Sequence, residues 1–188
     1  MGIRDPKLWL AGAALWGFAE ATFFFIVPDV LLTAAVLVFG LARAFRLAVV
    51  SAFSASAGGL IMIIWGAGDI DGARTFLLGV PLIGDDLIHR VSAEMNGAWP
   101  VNMTLGAVTG APYKIYAVEA GGAGVNPLLF AIVSFGARLM RFTLAIGIAA
   151  GGFALAQRLG LARLNAAGLA LVWAGLYAAY VWIRVSAN

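Results

Sequence analysis

The chain has 188 residues, of which 63% are hydrophobic and only 11% charged, with a mean hydropathy of +0.97. Soluble domains carry about 45–50% apolar and about 25% charged residues, so a water-soluble globule is excluded. The absence of cysteine excludes disulfides, thiolate metal sites and cysteine catalysis. The net charge of +3 comes from Lys and Arg scattered over segment ends, which argues for membrane anchoring and against a nucleic-acid surface.

The apolar runs are continuous and rich in Ala, Leu and Gly, whereas strands of a membrane barrel would alternate apolar and polar residues. The sequence therefore predicts an all-α, multi-pass membrane protein forming one domain over residues 1–188, its helices packed on small side chains. Arg4 and Lys7 precede the first apolar run as in a signal peptide. Glu20 interrupts that run and no small-residue cleavage site closes it, so the segment is expected to be retained.

Residues 8–42 are apolar but broken at Pro28-Asp29, where proline removes a donor and clashes with the preceding turn. Asp29 can cap the helix that follows. The piece from Val30 to Ala42 is short against the roughly 20 residues a span needs. Bases lie on both flanks (Arg4, Lys7; Arg43, Arg46), so both ends fall on the inner side and 8–42 reads as a re-entrant hairpin. Residues 47–67 make a span with a run of small residues from Ser51 to Gly59. The stretch 68–102 is the most polar and is expected outside the membrane. Within it Asp85–Met95 forms an amphipathic helix whose Leu87, Val91 and Met95 face the membrane surface.

Residues 103–125 repeat the first pattern, apolar and interrupted at Gly110-Ala111-Pro112. Spans over 127–153 and 164–183 complete the chain. In this layout Arg4, Lys7, Arg43, Arg46, Arg158 and Arg163 are inside, and Arg74, Arg90 and Arg184 outside. Two interrupted hairpins entering from opposite faces, each followed by a span, predict an inverted repeat with its binding site at the interruptions, marked by Pro28 and Pro112.

Charges within these apolar stretches are the main functional signal. A charge at the bilayer centre costs about 2.5–3.5 kcal/mol even on the lenient insertion scale. The sequence nevertheless places Glu20, Asp29, Lys114, Glu119, Arg138 and Arg141 there. Arg138 and Arg141, at i and i+3, project from one helix face. Guanidinium forks suit phosphate oxygens, with Lys114 a more mobile point charge, and helix starts after Pro28 and Pro112 would aim positive dipole ends at the same region. Glu20 and Asp29 then serve as counter-ions or proton carriers.

Three stretches, Phe18-Ala-Glu-Ala-Thr with Pro28-Asp29, Gly110-Ala-Pro-Tyr-Lys114, and Phe135-Gly-Ala-Arg138-Leu-Met-Arg141-Phe142, resemble the DedA (VTT, SNARE-associated) membrane family, in particular its short Pro-Tyr-Lys branch. The resemblance covers most of residues 15–150. It implies two opposed re-entrant loops, a multi-pass place in a bacterial inner membrane, and flippase- or scramblase-like movement of an anionic phospholipid or a polyprenyl phosphate, with proton coupling proposed for some members. It places Glu20 as the embedded acid, Asp29 as the acid after the first turn, Lys114 where other branches carry Arg, and Arg138 and Arg141 as the basic pair. The longer members carry a further Arg ahead of the second Pro, where this chain has Val108-Thr109-Gly110.

Other readings stay open. The buried bases can be internal partners of Glu20, Asp29 and Glu119 that only fix the fold, as in a non-transporting scaffold or assembly factor. Glu119 can instead be interfacial, and His89 an exposed polar residue. One histidine and no cysteine make a transition-metal site unexpected, and no cofactor or enzymatic motif is found. Trp and Tyr are expected as interfacial anchors. Gly147-x-x-x-Gly151 fits either a contact between two copies or close packing within one.

Overall fold

Every regular element among residues 5–161 and 165–186, which the computed structural model describes, is helical. Arg4, Arg163 and Leu164, used in the topology above, lie outside these residues. Helix α1 (Pro6–Thr22) starts on Asp5, whose carboxylate accepts from the Lys7 amide, with Pro6 in the first turn where no donor is needed. Helix α2 (Asp29–Phe39) follows a bend. Gly40, at φ +82°, breaks the chain before α3 (Leu41–Gly68). Two short helices, α4 (Ile70–Leu78) and α5 (Asp85–Met95), lead to α6 (Trp99–Thr109) and α7 (Tyr113–Gly122). Helix α8 (Pro127–Arg158) and helix α9 (Asn165–Ser186) complete the described chain.

Three helical stretches are long and apolar enough to cross a membrane: α3, α8 and Ala166–Ile183 of α9. Their outer faces carry exposed Phe53, Ile64, Ile132 and Leu171, the belt expected of a surface that meets hydrocarbon.

Helix α3 is the axis on which the rest is arranged. Helices α1 and α2 form an antiparallel pair: Trp9 meets Phe39 edge-on at 5.3 Å at the open end, and the Trp16 indole reaches Ile26 in the bend. Helix α1 runs parallel to α3, with Gly17 against Ser51 and Gly58 against the Phe18 carbonyl. Helix α7 also runs parallel to α3, but along its second half, with Gly59 against the Tyr113 hydroxyl and Gly66 against the Val118 carbonyl. A Cβ at Gly66 would run into the α7 backbone and one at Gly59 into the Tyr113 hydroxyl, so glycine is what permits this approach. Helix α6 lies antiparallel to α7, as the Tyr116 hydroxyl bonded to the Asn102 carbonyl at 3.2 Å requires.

The consequence is geometric. The end of α1 at Thr22 and the start of α7 at Tyr113 lie level with Gly58 and Gly59, well inside the length of α3. One pair of helices opens toward the Leu41 end and the other toward the Gly68 end. Helix α8 runs back along both, stacking Phe130 on Trp99 and Tyr113 before Phe142 and Ile146 enter the apolar cluster with Leu32 and Leu47.

Several expectations change. Helix α3 begins at Leu41, not at residue 47, because arginines propagate a helix well and the break is made by Gly40. The second pair begins at Trp99 rather than residue 103, and α8 continues past 153 to Arg158. Asp29 is not a cap: Pro28 holds that position without a side-chain bond, and the Asp29 carboxylate turns to Arg141. The α5 stripe of Leu87, Val91 and Met95 does not face lipid. It is buried against α7 in one cluster with Ile115 and Tyr116. An apolar stripe has the same spacing whichever apolar partner covers it.

Candidate functional site

The first bend leaves backbone groups without helical partners, and such groups, when buried, must be met by protein. Three side chains from three helices meet them. Trp16 of α1 donates to the Ile26 carbonyl at 2.8 Å, Lys114 of α7 donates to the Phe24 carbonyl at 3.2 Å, and the Tyr177 hydroxyl of α9 accepts from the Val27 amide at 2.8 Å. In the second bend Gly110 adopts φ +90°, and its amide and that of Ala111 both return to the Gly106 carbonyl. Pro112 follows, with no donor to satisfy.

Where the bends converge, the structure holds a cavity of about 230 Å³. Its polar wall is Glu20, Lys114 and Arg141, and the rest is mainly apolar and aromatic. Lys114 is 2% exposed, and among the described residues no carboxylate lies within ion-pair distance of its Nζ. Arg141 pairs with Asp29 at 3.0 Å but keeps 23% of its side chain exposed. No side-chain cap closes the start of α2 or α7, so both helices bring positive dipole ends to this level.

Arg138 sits one layer deeper, off the wall of this cavity. Its Nη1 pairs with the Glu20 carboxylate, and its guanidinium lies over the Tyr113 ring at 4.1 Å from the centroid. Tyr113 is held in turn by Ser134, one helical turn before Arg138. Nη2 of Arg138 is buried and finds no hydrogen-bond partner among the described protein atoms. The expected site residues are thus brought together in two roles. Lys114, Arg141 and Glu20 face the cavity, while Arg138 and Asp29 hold two of them from behind. Pro28 and Pro112 mark the bends.

Glu119 is neither interfacial nor part of this cluster. It is 3% exposed and takes two hydrogen bonds from Arg74, at 2.8 and 2.7 Å, which fasten α4 to α7. Those bonds also hold the Arg74 guanidinium above its ordinary pKa. A second tie joins Tyr116 to Glu94 of α5. The cluster at the bends therefore comprises two carboxylates and three cations, and carries one positive charge in excess when all are ionised.

Sequence reasoning missed two parts of the wall. One is Trp173, Tyr177 and Tyr180 of α9, which line the cavity instead of anchoring at an interface. Their spacing of i, i+4 and i+7 puts them on one face, and that signal was available. The other is the Val80–Ile83 turn, which reaches the cavity from outside the two helical pairs. Leu82 there takes φ +70°, a conformation costly for a side chain bearing Cβ. No family model, curated protein or solved structure matches the chain.

Proposed function

We propose that this chain is a lipid transporter of the DedA/VTT kind, moving an anionic phospholipid or a polyprenyl phosphate across a bacterial inner membrane. On this reading α1–α2 and α6–α7 are re-entrant hairpins related as an inverted repeat. Their tips meet at the midplane, where such transporters bind substrate. The observation that carries the reading is Lys114: a buried cation beside Arg141 on a cavity wall, with no carboxylate of its own among the described residues.

A buried lysine with no carboxylate within ion-pair distance is costly to keep charged, and a phosphate supplies a direct partner. A phosphate entering the cavity accepts from Lys114 and from Arg141, which keeps 23% of its side chain exposed while paired with Asp29. Arg138 then acts as a positioning residue, holding Glu20 on the wall and stacking on Tyr113. Glu20 and Asp29 are the carboxylates beside the phosphate, acting as counter-ions of Arg138 and Arg141 or as proton carriers. No covalent step is involved. The test is movement of labelled phospholipid and undecaprenyl phosphate in liposomes by the wild type and by Arg141→Ala. Movement lost in the variant supports the reading, and equal movement by both opposes it.

A second reading, a scaffold or assembly factor whose charges only fix its fold, is favoured by the pairing of Glu20 with Arg138 and Asp29 with Arg141. It predicts a fixed protein partner on purification and no lipid movement by the isolated chain.

A further inference from the structure

Helix α9 leans on α2 and stands off from α8. The gap is a trough of about 530 Å³, walled by Ala145, Ile148 and Gly152 of α8 and by Leu169 and Val172 of α9. Its polar groups are already used, since the Trp173 indole donates to the Thr33 hydroxyl at 3.0 Å. The α8 side is kept low by Ala145, Ala149, Gly152 and Ala156, spaced i, i+4, i+7 and i+11 on one face. An apolar slot left empty forfeits the dispersion contacts of its walls, and water gains nothing there.

The trough adjoins the charged cavity. Trp173 and Leu176 line both. Passing from Lys114 and Arg141 across Trp173 to Ile148 and Val172, the lining changes from cationic through amphipathic to purely apolar. That is the order of groups along a lipid phosphate. We infer that the α8–α9 trough is the binding site for the hydrocarbon chain of the anionic lipid whose phosphate occupies the cavity. The site selects an amphiphile with its chain and phosphate held at once. A free phosphate or a neutral lipid satisfies only half of it. This rests on the lipid-phosphate reading above and adds where the chain lies.

Two photoreactive phosphatidic acids test it on the full chain in nanodiscs, one reactive beside the phosphate and one at the chain end. A diacylglycerol with the same chain-end group is the neutral control. The cross-linked peptides are mapped by mass spectrometry. The phosphate-end probe is expected on residues 110–114 and 141, and the chain-end probe on 145–156 and 168–176. Chain-end labelling should exceed the diacylglycerol control at least about tenfold, given a charge-assisted phosphate contact. It should fall to the control level in Arg141→Ala. Gly152→Trp should also lose it. Gly152 is exposed, lines the trough and has open space where a Cβ would stand, so a bulky side chain can start there without a backbone clash.

Phosphate-end labelling in the cavity with chain-end labelling scattered over the outer helix faces overturns the trough and leaves the transporter reading intact. Labelling of neither overturns both. Equal trough labelling by diacylglycerol marks bulk lipid, and cross-links between two copies through the trough mark a protein partner. Either result overturns the inference.

Discussion

Lys114 Nζ donates to the Phe24 carbonyl oxygen at 3.2 Å, so the start of α7 is tied to the bend between α1 and α2. The contact joins the tips of two helical pairs that approach from opposite ends of α3. It also leaves the lysine's positive charge unmatched by any carboxylate within ion-pair distance among the described residues. Replacing it with an apolar side chain of similar length removes a buried charge and one hydrogen bond, effects of opposite sign. Lys114→Met should therefore change unfolding stability by no more than about 2 kcal/mol. Thermal unfolding in detergent checks this. A collapse of the fold would make the lysine a structural residue.

Arg138 and Glu20 behave differently because both are fully buried and each is the other's ion partner. Glu20→Leu leaves an uncompensated buried guanidinium and should cost about 3–5 kcal/mol, and the double variant Glu20→Leu/Arg138→Leu should recover most of it. A double-mutant cycle measured by unfolding reads the coupling directly. Additive losses would show that the pair is not the unit the geometry describes.

Gly59 and Gly147 make a matched comparison. A methyl at Gly59 meets the Tyr113 hydroxyl, whereas one at Gly147 meets open space. Gly59→Ala should destabilise by about 1–3 kcal/mol through overpacking. Gly147→Ala should be neutral or slightly stabilising, since alanine is the better helix former. Equal effects at the two sites would contradict the close crossing of α3 and α7.

Tyr177 anchors α9 to the first bend through the Val27 amide. Tyr177→Phe leaves that amide without its partner at a cost of about 1–3 kcal/mol. Hydrogen exchange at Val27 should accelerate while exchange in the middle of α3 does not change. Unchanged exchange at Val27 would mean that α9 does not seal the bend.

The absence of native cysteine allows the topology to be tested with single substitutions. Arg46→Cys at the start of α3 and Asp86→Cys in α5 are both exposed, at opposite ends of the bundle. They should label from opposite sides of the membrane. Labelling from one side would rule out the arrangement of α3 as a span.

The breaks at Pro28 and Pro112 were legible because proline acts through its own missing donor, a local effect. The helix Asp85–Met95 was legible for the same kind of reason: Gly84 precedes it and an apolar stripe runs along it. The gathering of Glu20, Lys114 and Arg141 could be anticipated because charges in apolar stretches need company. What the stretches could not reveal was who pairs with whom. Glu119 takes Arg74, 45 residues away in a polar stretch, because pairing is decided by which helices touch. The partner of the α5 stripe was hidden for the same reason. The Val80–Ile83 wall of the cavity was hidden more deeply, since nothing in Pro81-Leu82 marks a turn that reaches inward.

On the proposed reading Lys114, at the meeting of the two bends, receives a lipid phosphate. Transbilayer movement of fluorescent phospholipid and undecaprenyl phosphate in liposomes, wild type against Lys114→Met, reads this out, with unfolding of both proteins measured in parallel. The wild type should move at least one lipid, and the variant, melting with the wild type, should move neither. Undiminished movement by folded Lys114→Met, or none by folded wild type, would contradict that reading.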